Sequence, residues 1–381
     1  MSSHCRNALR VSLVMLIGMF GASAVDAELK PEEIVVAPPI AAKNRIYVLD
    51  IAINHIADGK LHVVDGDSLR YLGVIGSGFG GQSTLSNDKK EIIIATGYLS
   101  RGQRGERNDI IEVWDADTLA FKYEVAIPNK RAIALNYEGL LRLTADGRWL
   151  LIQNATPGTS LTVVDLQNKQ AAGEIDMPGC YGIYPSQSNA KRFASLCGDG
   201  TVATVTLDDS GKVGSRSTSG KLFDPDEDAL FISGEQDGDR YHFVSFKGNV
   251  VTLNVAGEQA AVESSWSLLR AGDKKKAWRP GGYQPAAFSN GRLYVAMHPE
   301  GAEGSHKNPA GEVWVFDLAN KKRIARLPGH NAIALETSED GSKLYAIDPI
   351  KLEVVVYDKI GAKPKIRATK VGETAVQLLS H

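Results

Sequence analysis

The sequence predicts an all-β protein, a seven-bladed β-propeller whose ring is closed by a C-terminal strand pairing with the first blade. A turn followed by a short apolar strand recurs seven times, at intervals of roughly 44 to 58 residues, which is the spacing of propeller blades. The strand that follows often ends in aspartate, at Asp65, Asp115, Asp165, Asp317 and Asp358. A last strand-like segment, 372–378, is left over with no further unit behind it.

In chain order the openings are NRIYV (44–48), DKKEIII (88–94), DGRWLLI (146–152), KRFASL (191–196), DRYHFVS (239–245), GRLYVA (291–296) and GSKLYAI (341–347). Segments 200–207 and 248–253 stand where the Asp-ended strand belongs and complete the count. One sheet alone cannot bury both faces, whereas sheets set radially bury each face against a neighbour, so the ring must close. Segment 372–378 falls where an inner strand belongs. Pairing it with the sheet begun by residues 44–65 joins the chain ends and removes an open edge.

Arg6 and Arg10, the apolar run 11–20 and small residues up to Ala27 have the layout of a secretory signal peptide, giving residues 1–27 as a leader cut after Ala24 or Ala27. The apolar run falls short of the roughly 20 residues a membrane span needs, so an anchor is disfavoured. Residues 28–43, with their Pro-Pro-Ile, read as an extended arm, and 44–381 as a single propeller domain. A net charge of −2 offers no basic face for nucleic acid or anionic lipid. Cys5 lies in the leader, leaving Cys180 and Cys197 as a pair in an exported chain, where a disulfide is expected. A redox or metal role is the alternative, although the sixteen residues between them match no CxxC spacing.

Motifs for chemistry are sparse. The glycine-rich GSGFGG (76–81) lacks the following helix that a phosphate loop requires and reads as a tight passage between blades. Histidines at 55, 62, 242, 298, 306 and 330 are dispersed. His298 and His306, in a loop with Glu300 and Glu303, could converge on an ion, with solvated loop side chains as the plainer reading. His62 reads as a packed, hydrogen-bonded histidine. There is neither a GxSxG elbow nor a CxxCH haem site, so nothing suggests that this chain holds a reactive group. A propeller hydrolase with an axial metal needs carboxylates on the inner strands, and segments such as QSTLS (82–86) supply few. Three loops exceed what the repeat requires: 101–109, 298–310, and 265–283, where near-helical spacing runs for about two turns. Insertions on one rim usually build a binding face.

Several strings have a more specific resemblance: RGERNDIIEVWDADTL (104–119), ALNYEGL (134–140), GCYGIYP (179–185), CGDG (197–200), WSLL (266–269), WRPGGY (278–283) and MHPEGAEGSHK (297–307). They resemble the heavy subunit of the quinoprotein amine dehydrogenases, and the aromatic amine dehydrogenase type more than the methylamine dehydrogenase type. The resemblance runs through nearly the whole mature chain. It implies a seven-bladed propeller with one disulfide, at positions matching Cys180 and Cys197, in a periplasmic heterotetramer of two heavy and two light chains. It further implies that tryptophan tryptophylquinone and the catalytic base belong to the light subunit. Primary amines would be deaminated to aldehyde and ammonia, with electrons leaving to a blue copper protein, and this chain alone would be inactive. In the family an aromatic residue after the first strand enters the substrate channel. The matching position in VLDIAINH (48–55) is Ile53, which makes Ile53, Asn54 and His55 the candidate channel residues. A stand-alone secreted propeller that binds a ligand or protein through its rim loops is the rival reading.

Overall fold

Asp65, Asp115 and Asp165, which end strands, each cap the turn behind them. Asp65 Oδ1 accepts from the amides of Asp67 and Ser68 at 2.8 and 3.2 Å, and Asp115 Oδ1 from those of Asp117 and Thr118 at 3.0 and 2.8 Å. Asp165 Oδ1 does the same for Gln167 and Asn168, at 3.0 and 3.1 Å. Four residues past each aspartate the chain turns left-handed, at Leu69, Leu119 and Lys169 with φ of 63, 57 and 53°. Aspartate is the residue that can satisfy two amides in so tight a turn, which is why it recurs.

The computed structural model describes residues 38–134, 136–360 and 363–381. The leader assigned to residues 1–27, and the arm as far as residue 37, lie outside the described residues. Within Pro38–His381, which forms one compact unit, seven antiparallel sheets are arranged in sequence. Their inner strands, blade 1 to blade 7, are Ala375–Ser380, Gln82–Leu85, Leu141–Leu143, Cys180–Pro185, Glu235–Asp237, the interrupted pair Arg279–Pro280 and Ala286–Ser289, and Ala334–Thr337. The recurrent openings of the sequence are the second strands, and the Asp-ended segments are the third.

The ring closes as expected. Ala375–Ser380 pairs antiparallel with Arg45–Asp50, with Leu378 opposite Val48 and Ser380 opposite Ile46. Core side chains collect in seven clusters among the described residues, each between two adjacent blades. Ile46, Val48, Val356 and Leu378 fill the seam between blades 7 and 1, and Leu49, Leu61, Ile92 and Ile94 fill that between blades 1 and 2. Burying each such side chain contributes about 1.5–3 kcal/mol, so a missing seam would be costly. The described end of the arm lies along blades 1 and 2: the Ile40 amide donates to Asp117 O at 2.8 Å, and the Arg45 guanidinium donates to Ala116 O and Ile40 O.

Cys180 and Cys197 are disulfide-bonded and face each other across the inner and second strands of blade 4. Closing a loop of 17 residues contributes about 3 kcal/mol in the chain-entropy model. The helix expected over about two turns of 265–283 is shorter, Ala271–Lys275. Its Asp273 turns back to the Arg270 amide at 2.9 Å and is held by Arg323, also at 2.9 Å, so the segment ends as a single pinned turn.

Candidate functional site

Antiparallel alternation sorts the connections. Turns between second and third strands, and crossings from an outer strand to the next inner strand, fall on one rim. Loops 101–109 and 298–310 are turns of the first kind, in blades 2 and 6, and 265–283 holds the crossing from blade 5 to blade 6. The three long loops therefore share a rim, and Ile53–His55 in blade 1 shares it with them.

Ile53–His55 is a single 3-10 turn entered through Ala52, which is left-handed at φ 43°. Asp50, almost wholly buried, fixes this geometry: its carboxylate accepts from the amides of Ala52 at 2.9 Å, Glu373 at 2.7 Å and Thr374 at 2.8 Å. Burial alone would raise the Asp50 pKa, but His62, with Nε2 3.5 Å away, and these three amides hold it well below the usual carboxylate range. His62 is the packed histidine expected, with Nδ1 2.8 Å from the Tyr71 hydroxyl. Above this rigid base, Asn54 and His55 are exposed, and Ile53 and Ile56 are 58% and 46% exposed. Two large aliphatic side chains open to water on a rim are what a contact surface presents.

A cavity of about 380 Å³ opens between the loops of blades 4 to 6 and the crossing that leads to blade 3, lined chiefly by Tyr137, Tyr181, Phe231, Ile232, Phe246 and Tyr283. Glu303 and His306 stand at its edge. Tyr137 and Tyr283 approach with ring centroids 6.0 Å apart, and Arg279 lies over Phe246 at 4.5 Å. Strings ALNYEGL, GCYGIYP, WRPGGY and MHPEGAEGSHK each supply part of this wall. Ile53, Asn54 and His55 are not among its lining residues.

The inner strands carry more acid than expected. Glu138, on a 3-10 turn just before Leu141–Leu143, joins Glu235 and Glu336 of the inner strands of blades 5 and 7 in one electrostatic cluster. Among the described residues only Arg142, 2.6 Å from Glu138, forms an ion pair with it. Gln284 Nε2 lies 3.4 Å from Glu336 Oε2, whereas Glu235 Oε1 is enclosed without a hydrogen-bond partner. Burial, and then repulsion from Glu138, pushes the Glu336 carboxyl up to about 8; burial, with Glu138 and Glu336, holds Glu235 well above its ordinary value. The three glutamates are some hundred residues apart in sequence, and only the ring brings them together.

His298 is buried with Nδ1 3.1 Å from Pro299 O, while His306 faces the cavity edge-on to Phe246. Among the described residues no group of three or more His, Cys, Asp or Glu side chains is placed to hold a metal ion. Trp278 and Trp314 stand with centroids 5.1 Å apart, but they are 7% and 0% exposed, beneath Arg323 and Arg326. A tryptophan-derived quinone has to meet its amine, and a pair so enclosed does not fit that task. Among the described residues no helix is long and apolar enough to cross a membrane.

A family model described as methylamine dehydrogenase heavy chain matches residues 42–379. The methylamine dehydrogenase heavy chain of Methylophilus methylotrophus is 27% identical over 347 residues, covering 90% of this chain and 84% of that one. That of Methylobacillus flagellatus is 26% identical over 334 residues, covering 86% and 82%. Among solved structures, the periplasmic gluconolactonase of Pseudomonas aeruginosa superposes with a TM-score of 0.61 at 12% identity, over 88% of this chain and 98% of that one. AztD from Citrobacter koseri superposes with a TM-score of 0.52 at 12% identity, over 89% and 98%. At such identities these two structures speak for the propeller fold alone.

Proposed function

Because this chain belongs to the methylamine dehydrogenase heavy chain family, we propose that it is the large, non-catalytic subunit of a periplasmic amine dehydrogenase that deaminates primary amines to aldehyde and ammonia. The family match across residues 42–379, spanning all seven blades, carries this reading. In it, tryptophan tryptophylquinone resides on a separate light subunit, two heavy and two light chains assemble, and electrons pass to a blue copper protein. The burial of Trp278 and Trp314 supports placing the quinone elsewhere than on this chain.

Within that assembly the rim turn at Ile53, Asn54 and His55 forms part of the substrate channel. Its support is positional: the turn follows the first strand, stands on the rim with the long loops, and offers an exposed aliphatic side chain on a rigid base. We favour an arylalkylamine over methylamine on the strength of the matching strings taken together, although the curated relatives are named for methylamine. Ile53→Phe in the assembled complex is expected to shift the ratio of 2-phenylethylamine to methylamine turnover by about tenfold, the scale on which one side chain reshapes an apolar pocket. An unchanged ratio would remove Ile53 from the channel.

Purification of the native complex, with the intact mass of every copurifying chain and a visible spectrum with and without amine, tests the assignment as a whole. A smaller second chain and a quinone band that bleaches on adding amine are expected. A colourless single species would instead favour a stand-alone propeller binding through its rim.

A further inference from the structure

We propose that the axial mouth of the propeller is itself a binding site for a primary organic ammonium ion, holding the apolar body in the aromatic cavity and the ammonium group toward the carboxylates beneath. The cavity and the acid cluster adjoin along the chain. Tyr137 immediately precedes Glu138, Tyr283 precedes the Gln284 that touches Glu336, and Ile232 stands three residues before Glu235. Gly139 brings these segments into contact, since a Cβ there would stand 3.1 Å from Ile232 O.

Ring faces carry negative potential and attract cations, and this collar already uses them so: Arg279 lies over Phe246 and Lys307 over Tyr283, at 4.5 and 5.1 Å. No such cation stands over Tyr137 or Tyr181 among the described residues, and the Tyr181 hydroxyl is enclosed without a hydrogen-bond partner. In the segments adjoining the collar, Glu138, Glu235 and Glu336 share one ion-pair partner among the described residues, Arg142, so their ionised forms lack compensating positive charge. Glu235 Oε1, enclosed and unpartnered, marks where a donor would be bound most strongly. The side chains are not placed to surround a bare metal ion. A cation carried on an apolar body fits both layers, and at about 380 Å³ the cavity is in the range that takes a small arylalkyl group.

All the groups involved come from this chain, so the site does not depend on the subunit assignment and can be tested without a light chain. Calorimetric titration of the full chain with 2-phenylethylammonium is expected to give saturable 1:1 binding. The neutral analogue 2-phenylethanol should bind about tenfold more weakly or worse, because it brings no positive charge to favour the ionised carboxylates. Tyr181→Ala and the double change Glu235→Gln, Glu336→Gln should each weaken the ammonium by a similar factor. Absence of saturation at millimolar ligand, or equal binding of ammonium and alcohol, would overturn the proposal. The alcohol comparison needs no variant and so stands even where a substitution disturbs folding.

Discussion

Asp50→Ala is expected to destabilise the protein by about 3–5 kcal/mol, more than a surface carboxylate could, because this side chain closes the ring. It sits 2% exposed at the end of the first strand and accepts amides from both ends of the chain, Ala52 on one side and Glu373 and Thr374 on the other. Truncation leaves three amides unmatched, that of Ala52 buried and those of Glu373 and Thr374 half-buried, and removes the support of the left-handed residue Ala52. Gly372 shows how tight the joint is: at φ 68° it brings the backbone so close that a Cβ would meet Asp50 Oδ2 at 2.6 Å. Asp50→Asn keeps one acceptor oxygen and should cost about half as much. Urea unfolding gives the stability, and amide exchange across residues 371–380 should report faster opening of the closing strand. A loss below about 1 kcal/mol would mean that the seams between blades 7 and 1, rather than Asp50, hold the ring shut.

Closure was legible from the sequence because a propeller with a strand to spare has one place to put it. Segment 372–378 was expected in the first sheet, and Ala375–Ser380 is found there. Second and third strands were legible for a different reason: sandwiched between neighbouring blades, they are buried on both faces, and ILE- and VAL-rich runs such as Glu91–Leu99 and Glu353–Asp358 stand out. Inner strands are another matter. Leu141–Leu143 and Glu235–Asp237 are three residues long, and that of blade 6 is interrupted between Pro280 and Ala286, so no alternation develops.

That weakness at the axis hid the candidate site. Glu138, Glu235 and Glu336 lie in three short segments with no shared motif, and a sequence read strand by strand finds few axial carboxylates. Their proximity is a property of ring geometry. The aromatic cavity was half visible, since loops 265–283 and 298–310 stood out by length, but its other walls, Tyr137 and Tyr181, belong to short segments that the repeat did not mark. Ile53, by contrast, was singled out only by the family resemblance, and the rim turn that carries it is apart from the cavity lining.

Between about pH 4.5 and 8 the protein is expected to lose stability as pH rises, and Glu336→Gln should remove much of that slope. An unfolded glutamate titrates near 4.3, whereas burial, and then Glu138, pushes folded Glu336 up to about 8. Within that window the folded chain keeps a proton that the unfolded chain has released, so the stabilising contribution is complete below about 4.3 and lost as pH rises through 8. The groups acting on Glu336 include Glu138 and Glu235, which disfavour its ionisation, and Arg142 and Lys89, which favour it. At about 1.4 kcal/mol per unit the full effect is on the order of a few kcal/mol, shared among the coupled carboxyls. Asp50 acts with the opposite sign: its depressed pKa gives stability that is present above about 3.9 and fails only in strong acid, so it cannot produce a fall toward alkaline pH. Urea midpoints at pH 5, 6.5 and 8 for the wild type and Glu336→Gln decide the matter, parallel slopes being the outcome that sinks it. An organic ammonium seated over the cluster favours the ionised carboxylates, so saturating ligand should flatten the wild-type slope as the substitution does, by compensating the charge rather than removing it.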